Sequence, residues 1–179
     1  MPLLPGQKYA GFVQPVDIVA LAGQSSAPDN FALPVSGNGG SGVYVPVITA
    51  ALYAVDDAIG GIIEFANAAL ATGGGGVILD MVIDDVDGLE PELELWLFDR
   101  TFTAMVDNAP WLPSDADRLN CIGTISTSGG SWKAAGDPKN ITIEATLRFD
   151  ALGTSLFGQM VTRTAITPTA VDHLRLRMG

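Results

Sequence analysis

No apolar pattern in this chain keeps a helical period for more than about two turns, whereas several stretches keep a period of two. Residues 92–97 read Glu-Leu-Glu-Leu-Trp-Leu. In residues 141–149, Ile141, Ile143, Ala145, Leu147 and Phe149 alternate with Thr142, Glu144, Thr146 and Arg148. Residues 174–178 place Leu174, Leu176 and Met178 opposite Arg175 and Arg177, and the alternation extends back to put His173 on the charged face. Such runs are half-buried strands, one face in a core and one in water. The chain is therefore restricted to an all-β architecture.

Punctuation supports this. Twenty-one glycines and eleven prolines break the 179 residues, while apolar residues still make up 47%. That combination means many turns between short strands rather than disorder. Counting the runs predicts about seven to nine strands in a β-sandwich of jelly-roll type, with a Greek-key barrel as the alternative. Residues 1–42 differ. Pro2, Pro5, Pro15, Pro28 and Pro34 interrupt every element, and residues 36–42 are Ser, Gly and Asn alone. The segment still carries Leu3, Leu4, Tyr9, Phe12 and Phe31. It is read as an extended arm that needs a surface to lie on, either its own domain or a neighbouring subunit. Residues 43–179 form the sandwich.

The stretch 60–100 carries the most pattern. A glycine run at 73–76 precedes an apolar run at 77–83, then an acidic corner from Asp84 to Glu90, then the alternation at 92–97. The expectation is a hairpin of two antiparallel strands joined by a solvated acidic loop. Two kinds of site could use such a stretch. A phosphate loop needs Gly-Lys-Ser/Thr opening a helix, and here a strand follows with no lysine near. A calcium loop framed on Gly88 places Asp85 and Asp87 at the third and fifth positions and Glu94 at the bidentate twelfth. Its first position is Ile83, which cannot ligate. Asp85, Asp87 and Glu94 remain the candidate metal ligands.

Other chemistry is sparse. His173 is the one histidine and Cys121 the one cysteine, so neither an intrachain disulfide nor a multi-cysteine zinc site is available. Nothing singles out a catalytic pair, and the chain is read as not an enzyme, with no cofactor. Trp111, between two prolines, is read as a loop anchor, and Trp132 lies in a glycine-rich turn; exposed, both would suit sugar contacts. A net charge of −11 opposes nucleic-acid binding. No apolar window is long enough to span a membrane, and no basic stretch ahead of an apolar run marks a secretory signal. Charge is uneven: residues 84–94 are purely acidic, while Arg148, Arg163, Arg175 and Arg177 sit near the C-terminus. Such an asymmetry suits pairing within the domain or between copies.

Several segments together resemble small proteins encoded among the virion structural genes of tailed bacteriophages. They are YAVDDAIGGIIEFANAALATGGGGVILDMVIDD, ELELWLFD, DNAPWLPSDADRLNCIGTI and TSLFGQMVTRTAIT, spanning residues 52–178. The resemblance implies a decoration or cement protein on the capsid surface, bound to the major capsid protein and grouped as a homotrimer. A neck, tail or fibre component, or a carbohydrate-binding β-sandwich, is the alternative. Expected contact residues are Leu3, Leu4, Tyr9, Phe12 and Phe31 of the arm, and Arg175 and Arg177 of the last strand.

Overall fold

The computed structural model describes residues 42–134 and 136–179. Eight strands and one helical turn follow in order: β1 (Ala58–Phe65), β2 (Gly75–Asp85), β3 (Leu93–Phe98), α1 (Asp115–Arg118), β4 (Cys121–Ser126), β5 (Lys133–Ala134), β6 (Lys139–Asp150), β7 (Leu156–Thr162) and β8 (Leu174–Met178). They form two four-stranded sheets, ordered β1-β7-β3-β4 and β5-β6-β2-β8, antiparallel throughout. The all-β sandwich expected from the alternating runs is what the chain forms.

The period of two sets the core. Leu93, Leu95 and Leu97 of β3 and Leu156 and Met160 of β7 point inward from one sheet. Met81 and Ile83 of β2, Ile141 and Phe149 of β6 and Leu174 and Leu176 of β8 meet them from the other. All are buried. Each such side chain contributes about 1.5–3 kcal/mol by leaving water, which explains why the alternation survives along every long strand.

The expected hairpin at 75–98 does not form. β2 lies in one sheet and β3 in the other, so the acidic corner carries the chain between layers. Both strands must aim an apolar face at the same core, and the connection at 86–92 is long enough to turn the chain through the edge of the sandwich. Nor is the corner fully solvated. Asp85 is 1% exposed, and its carboxylate accepts the Glu90 and Asp87 amides at 2.7 and 3.2 Å.

The sheet β1-β7-β3-β4 is partly covered on its outer face too, a feature its alternation hides. Residues 99–120 fold back across it and build a second, smaller core of Ala58, Phe98, Phe102, Trp111 and Val161. Phe98 and Phe102 stack with centroids 4.0 Å apart. Trp111 is 9% exposed and anchors the excursion, as expected of it. Within the excursion α1 is capped by Ser114, whose hydroxyl oxygen accepts the Asp117 amide at 3.1 Å.

Residues 43–48 run along the other side. Tyr44 bridges Leu176 with two 2.8 Å backbone bonds, placing the segment beside β8. Gly60 and Gly61 lie inside β1, at a bulge where its register against β7 shifts between Ile59 and Ile63.

Candidate interaction surface

The candidate metal ligands are each held by protein donors and do not converge. Asp85 organises the corner from within. Asp87 accepts the Thr169 amide at 2.7 Å and the Thr169 hydroxyl at 2.8 Å, and faces His173 Nδ1. Glu94 stands on β3, in the opposite sheet, paired with Arg163 at 2.5 Å and with the Trp96 indole at 3.1 Å. Among the described residues no group of three or more His, Cys, Asp or Glu side chains is placed to hold a metal ion.

Burial raises the Asp85 carboxyl above its ordinary range against the backbone amides that oppose the shift. For Asp87 burial also pushes upward, but the two Thr169 donors and His173 outweigh it and hold the carboxyl below its ordinary range. His173 does not share the outward face of the arginines. It is 8% exposed, because β8 begins at Leu174 and the period of two does not extend back to residue 173.

The basic C-terminal region is used largely within the chain. Arg177 reaches Asp84 at 2.6 Å, and Arg163 pairs with Glu94 and Asp56. Arg175 is exposed and lies opposite Asp84 in the ladder. The other expected contact residues, Leu3, Leu4, Tyr9, Phe12 and Phe31, lie outside the described residues. Trp111 is buried, which leaves it no free ring face of the kind sugar stacking uses, and Trp132 is half-buried against the main core. Asp99, Arg100, Leu152, Gly153, Thr154 and Phe157 are among the residues around a shallow groove of 290 Å³, in which the Arg100 guanidinium is bound bidentately by Asp99 at 2.7 and 2.8 Å. Burial lifts the Cys121 thiol above its ordinary value, which disfavours the reactive thiolate.

The sequence offered no signal for the polar knot under the excursion. Asp107 accepts the Thr49 amide at 2.9 Å, the Gly60 amide at 2.6 Å and the Tyr53 hydroxyl at 2.7 Å. Gln159, fully buried, donates to the Gly60 and Met105 carbonyls at 2.7 Å each and accepts the Met105 amide at 2.9 Å. These bonds clamp residues 49–60 to residues 105–107.

Around that clamp the surface is apolar. Val43, Val45 and Val47 alternate outward from Tyr44, Pro46 and Ile48. Asn108 Nδ2 donates to the Leu52 carbonyl at 3.1 Å and the Trp111 amide to the Asp56 carbonyl at 2.8 Å, so residues 52–56 lie against residues 108–111. Along these paired segments Val47, Leu52, Val55, Val106 and Leu112 are each more than half exposed, reaching 78% at Val47 and Val106. Single exposed aliphatics are ordinary, but a run of them on hydrogen-bonded neighbours is the composition of a contact surface. Among the described residues no helix is long and apolar enough to cross a membrane. No protein-family model, curated protein or solved structure matches the chain.

Proposed function

We propose that this chain is a structural protein of a tailed-bacteriophage virion, a decoration or cement protein that binds the major capsid protein on the head surface and groups as a homotrimer. Its reading rests on the resemblance of residues 52–178 to that class and on one structural observation. The exposed aliphatic surface of Val43, Val45, Val47, Leu52, Val55 and Val106 adjoins the point where the Pro- and Gly-rich arm joins the sandwich. An exposed apolar surface of this kind suits a contact that stabilises a lattice by repetition, since a modest contact energy is multiplied over many copies.

The test is a count. Mass spectrometry of purified virions should find the chain at a copy number on the order of hundreds. About a dozen copies or fewer would assign it instead to a neck, tail or fibre with low rotational symmetry. Charges placed in the apolar surface, Val47→Asp with Val106→Asp, should weaken attachment to the head at least ~10-fold while leaving the sandwich folded, as both side chains are solvent-exposed. Unchanged attachment would remove this surface from the interface.

A further inference from the structure

We infer that the groove beside Arg100 is a docking site for a segment of another protein that presents an aliphatic side chain next to a carboxylate. The groove lies between the residues that follow β3 and the connection from β6 to β7, with Arg100, Thr101, Leu152, Thr154 and Phe157 among its walls. It is shallow and holds 290 Å³. A site for a free small molecule encloses most of its ligand in a deeper cavity, whereas an open groove suits an extended segment lying across it.

Arg100 selects the charge of the occupant. A guanidinium carries five N–H donors in a planar fork. Asp99 takes two of them, Nε at 2.7 Å and Nη2 at 2.8 Å, which is one edge of the fork. The other edge, Nη1 with the second hydrogen of Nη2, has no acceptor among the described residues. Two parallel N–H groups in one plane are the geometry that binds both oxygens of a carboxylate. Arg163 of the same chain serves two acids at once, Asp56 through Nη1 and Glu94 through Nη2, whereas Arg100 holds one. A second acid at Arg100 therefore need not displace Asp99. The pair is also set in advance: the Asp99 amide donates to the Asn120 carbonyl and its carbonyl accepts the Leu152 amide, each at 3.1 Å. Asp99 and Arg100 together carry no net charge, on a chain of net charge −11. A singly charged carboxylate suits that balance better than a phosphate, whose second charge would stand uncompensated beside Asp99.

The surroundings supply the apolar half of the contact. Leu152 is more than half exposed and Phe157 is half-buried. Two further leucines are tied to the same place by backbone bonds, and each is at least three-quarters exposed. Leu119 precedes Asn120, whose carbonyl accepts the Asp99 amide, and Leu70 follows Ala69, whose amide donates to the Thr154 carbonyl at 3.0 Å. Leucines this exposed, gathered by bonded neighbours around one groove, have the composition of a contact surface. An aliphatic side chain of the partner covers Leu152 and Phe157 while the adjacent carboxylate meets the open edge of Arg100. None of these residues belongs to the aliphatic surface assigned to the head, and charging the groove leaves that surface intact.

Proton–nitrogen NMR spectra of the full-length chain, titrated with a short capped peptide that sets one glutamate between leucines, test this directly. The Arg100 Nε–H signal and the Leu152 and Thr154 amides should shift together and saturate with a dissociation constant of about 1 mM or tighter. The same peptide with glutamine in place of glutamate should bind at least ~10-fold more weakly, and so should acetate, which brings the charge without the aliphatic side chains. Arg100→Gln and Leu152→Asp, each with the dispersed spectrum of a folded chain, should also bind the glutamate peptide at least ~10-fold more weakly. No saturable shift at these signals, equal binding of the glutamate and glutamine peptides, acetate binding as tightly as the peptide, or either variant binding like the wild type would each overturn the proposal. Shifts of the same signals with the concentration of the chain alone would overturn it too, by giving the groove to a second copy.

Discussion

Asp107 joins three parts of the chain through one carboxylate: the Thr49 amide, the Tyr53 hydroxyl and the Gly60 amide in the β1 bulge. Tyr53 is fully buried, and burial, reinforced by Asp107, pushes its hydroxyl from 10.0 up to about 12. Removing the acceptor and removing one donor are unequal changes. Asp107→Ala strands the Gly60 amide and leaves the Tyr53 hydroxyl only the longer contact to the Thr49 hydroxyl at 3.1 Å, and a buried donor without a partner forfeits its full desolvation, so the expected cost is about 3 kcal/mol. Tyr53→Phe leaves Asp107 with both amides and should cost about 1 kcal/mol. Urea unfolding of the two variants measures both, and equal costs would mean that Asp107 is not the hub. The sequence could not mark this residue. An aspartate in a loop rich in Pro and Asp looks solvated, and its partners are 47–58 positions away.

At the level of elements, the crossing from β2 to β3 depends on Gly88. Its φ is +69°, and a Cβ there would stand 2.3 Å from the Asp137 carbonyl oxygen, in the turn that feeds β6. Gly129 is a control with φ +78° and open space around it. Gly129→Ala should cost about 1 kcal/mol for the left-handed backbone alone. Gly88→Ala adds a backbone overlap that no rotamer relieves, and should cost about 3 kcal/mol or more in the same unfolding experiment. Equal costs would show that the turn before β6 yields freely. The alternation that defined β3 and β6 was legible because each strand aims one face at the main core. Which sheet a strand joins was not, since the 86–92 connection suits a hairpin as well as a crossing. Burial of the second face of β3 was equally hidden: Glu94, Trp96 and Phe98 alternate with the leucines as a wet face would, until the 99–120 excursion covers Phe98. His173 was misplaced because a period of two was carried one residue beyond the strand that obeys it.

Over the whole molecule the acidic corner is held to the sheet β5-β6-β2-β8 and to the connection ahead of β8 by bonds from three directions. Val86 donates to the His173 carbonyl at 2.9 Å, Lys139 Nζ reaches Glu90 at 2.8 Å, and Asp87 gathers Thr169 and His173. The two corner carboxylates have opposite linkage to pH. Asp85 is raised in the fold, so its charged form opposes folding, and that penalty is relieved as pH falls through its folded value toward 3.8. Asp87 is lowered in the fold, so it stabilises fully above 3.8 and loses that contribution as pH falls below 3.8 through its folded value. With a net charge of −11 many other carboxylates titrate over the same range, so the wild-type profile alone does not isolate either one. The difference from a variant does. Asp87→Asn should be less stable than the wild type at pH 6 and should converge on it below pH ~3, where the wild-type carboxylate is also protonated. Asp85→Asn should show the reverse charge dependence, its deficit growing as the pH is lowered toward 3.8, because the wild type alone then sheds the penalty of a buried charge. Urea midpoints at half-unit pH steps measure both curves, and two parallel offsets independent of pH would show that these carboxylates act at the corner by shape and hydrogen bonding without any contribution from charge.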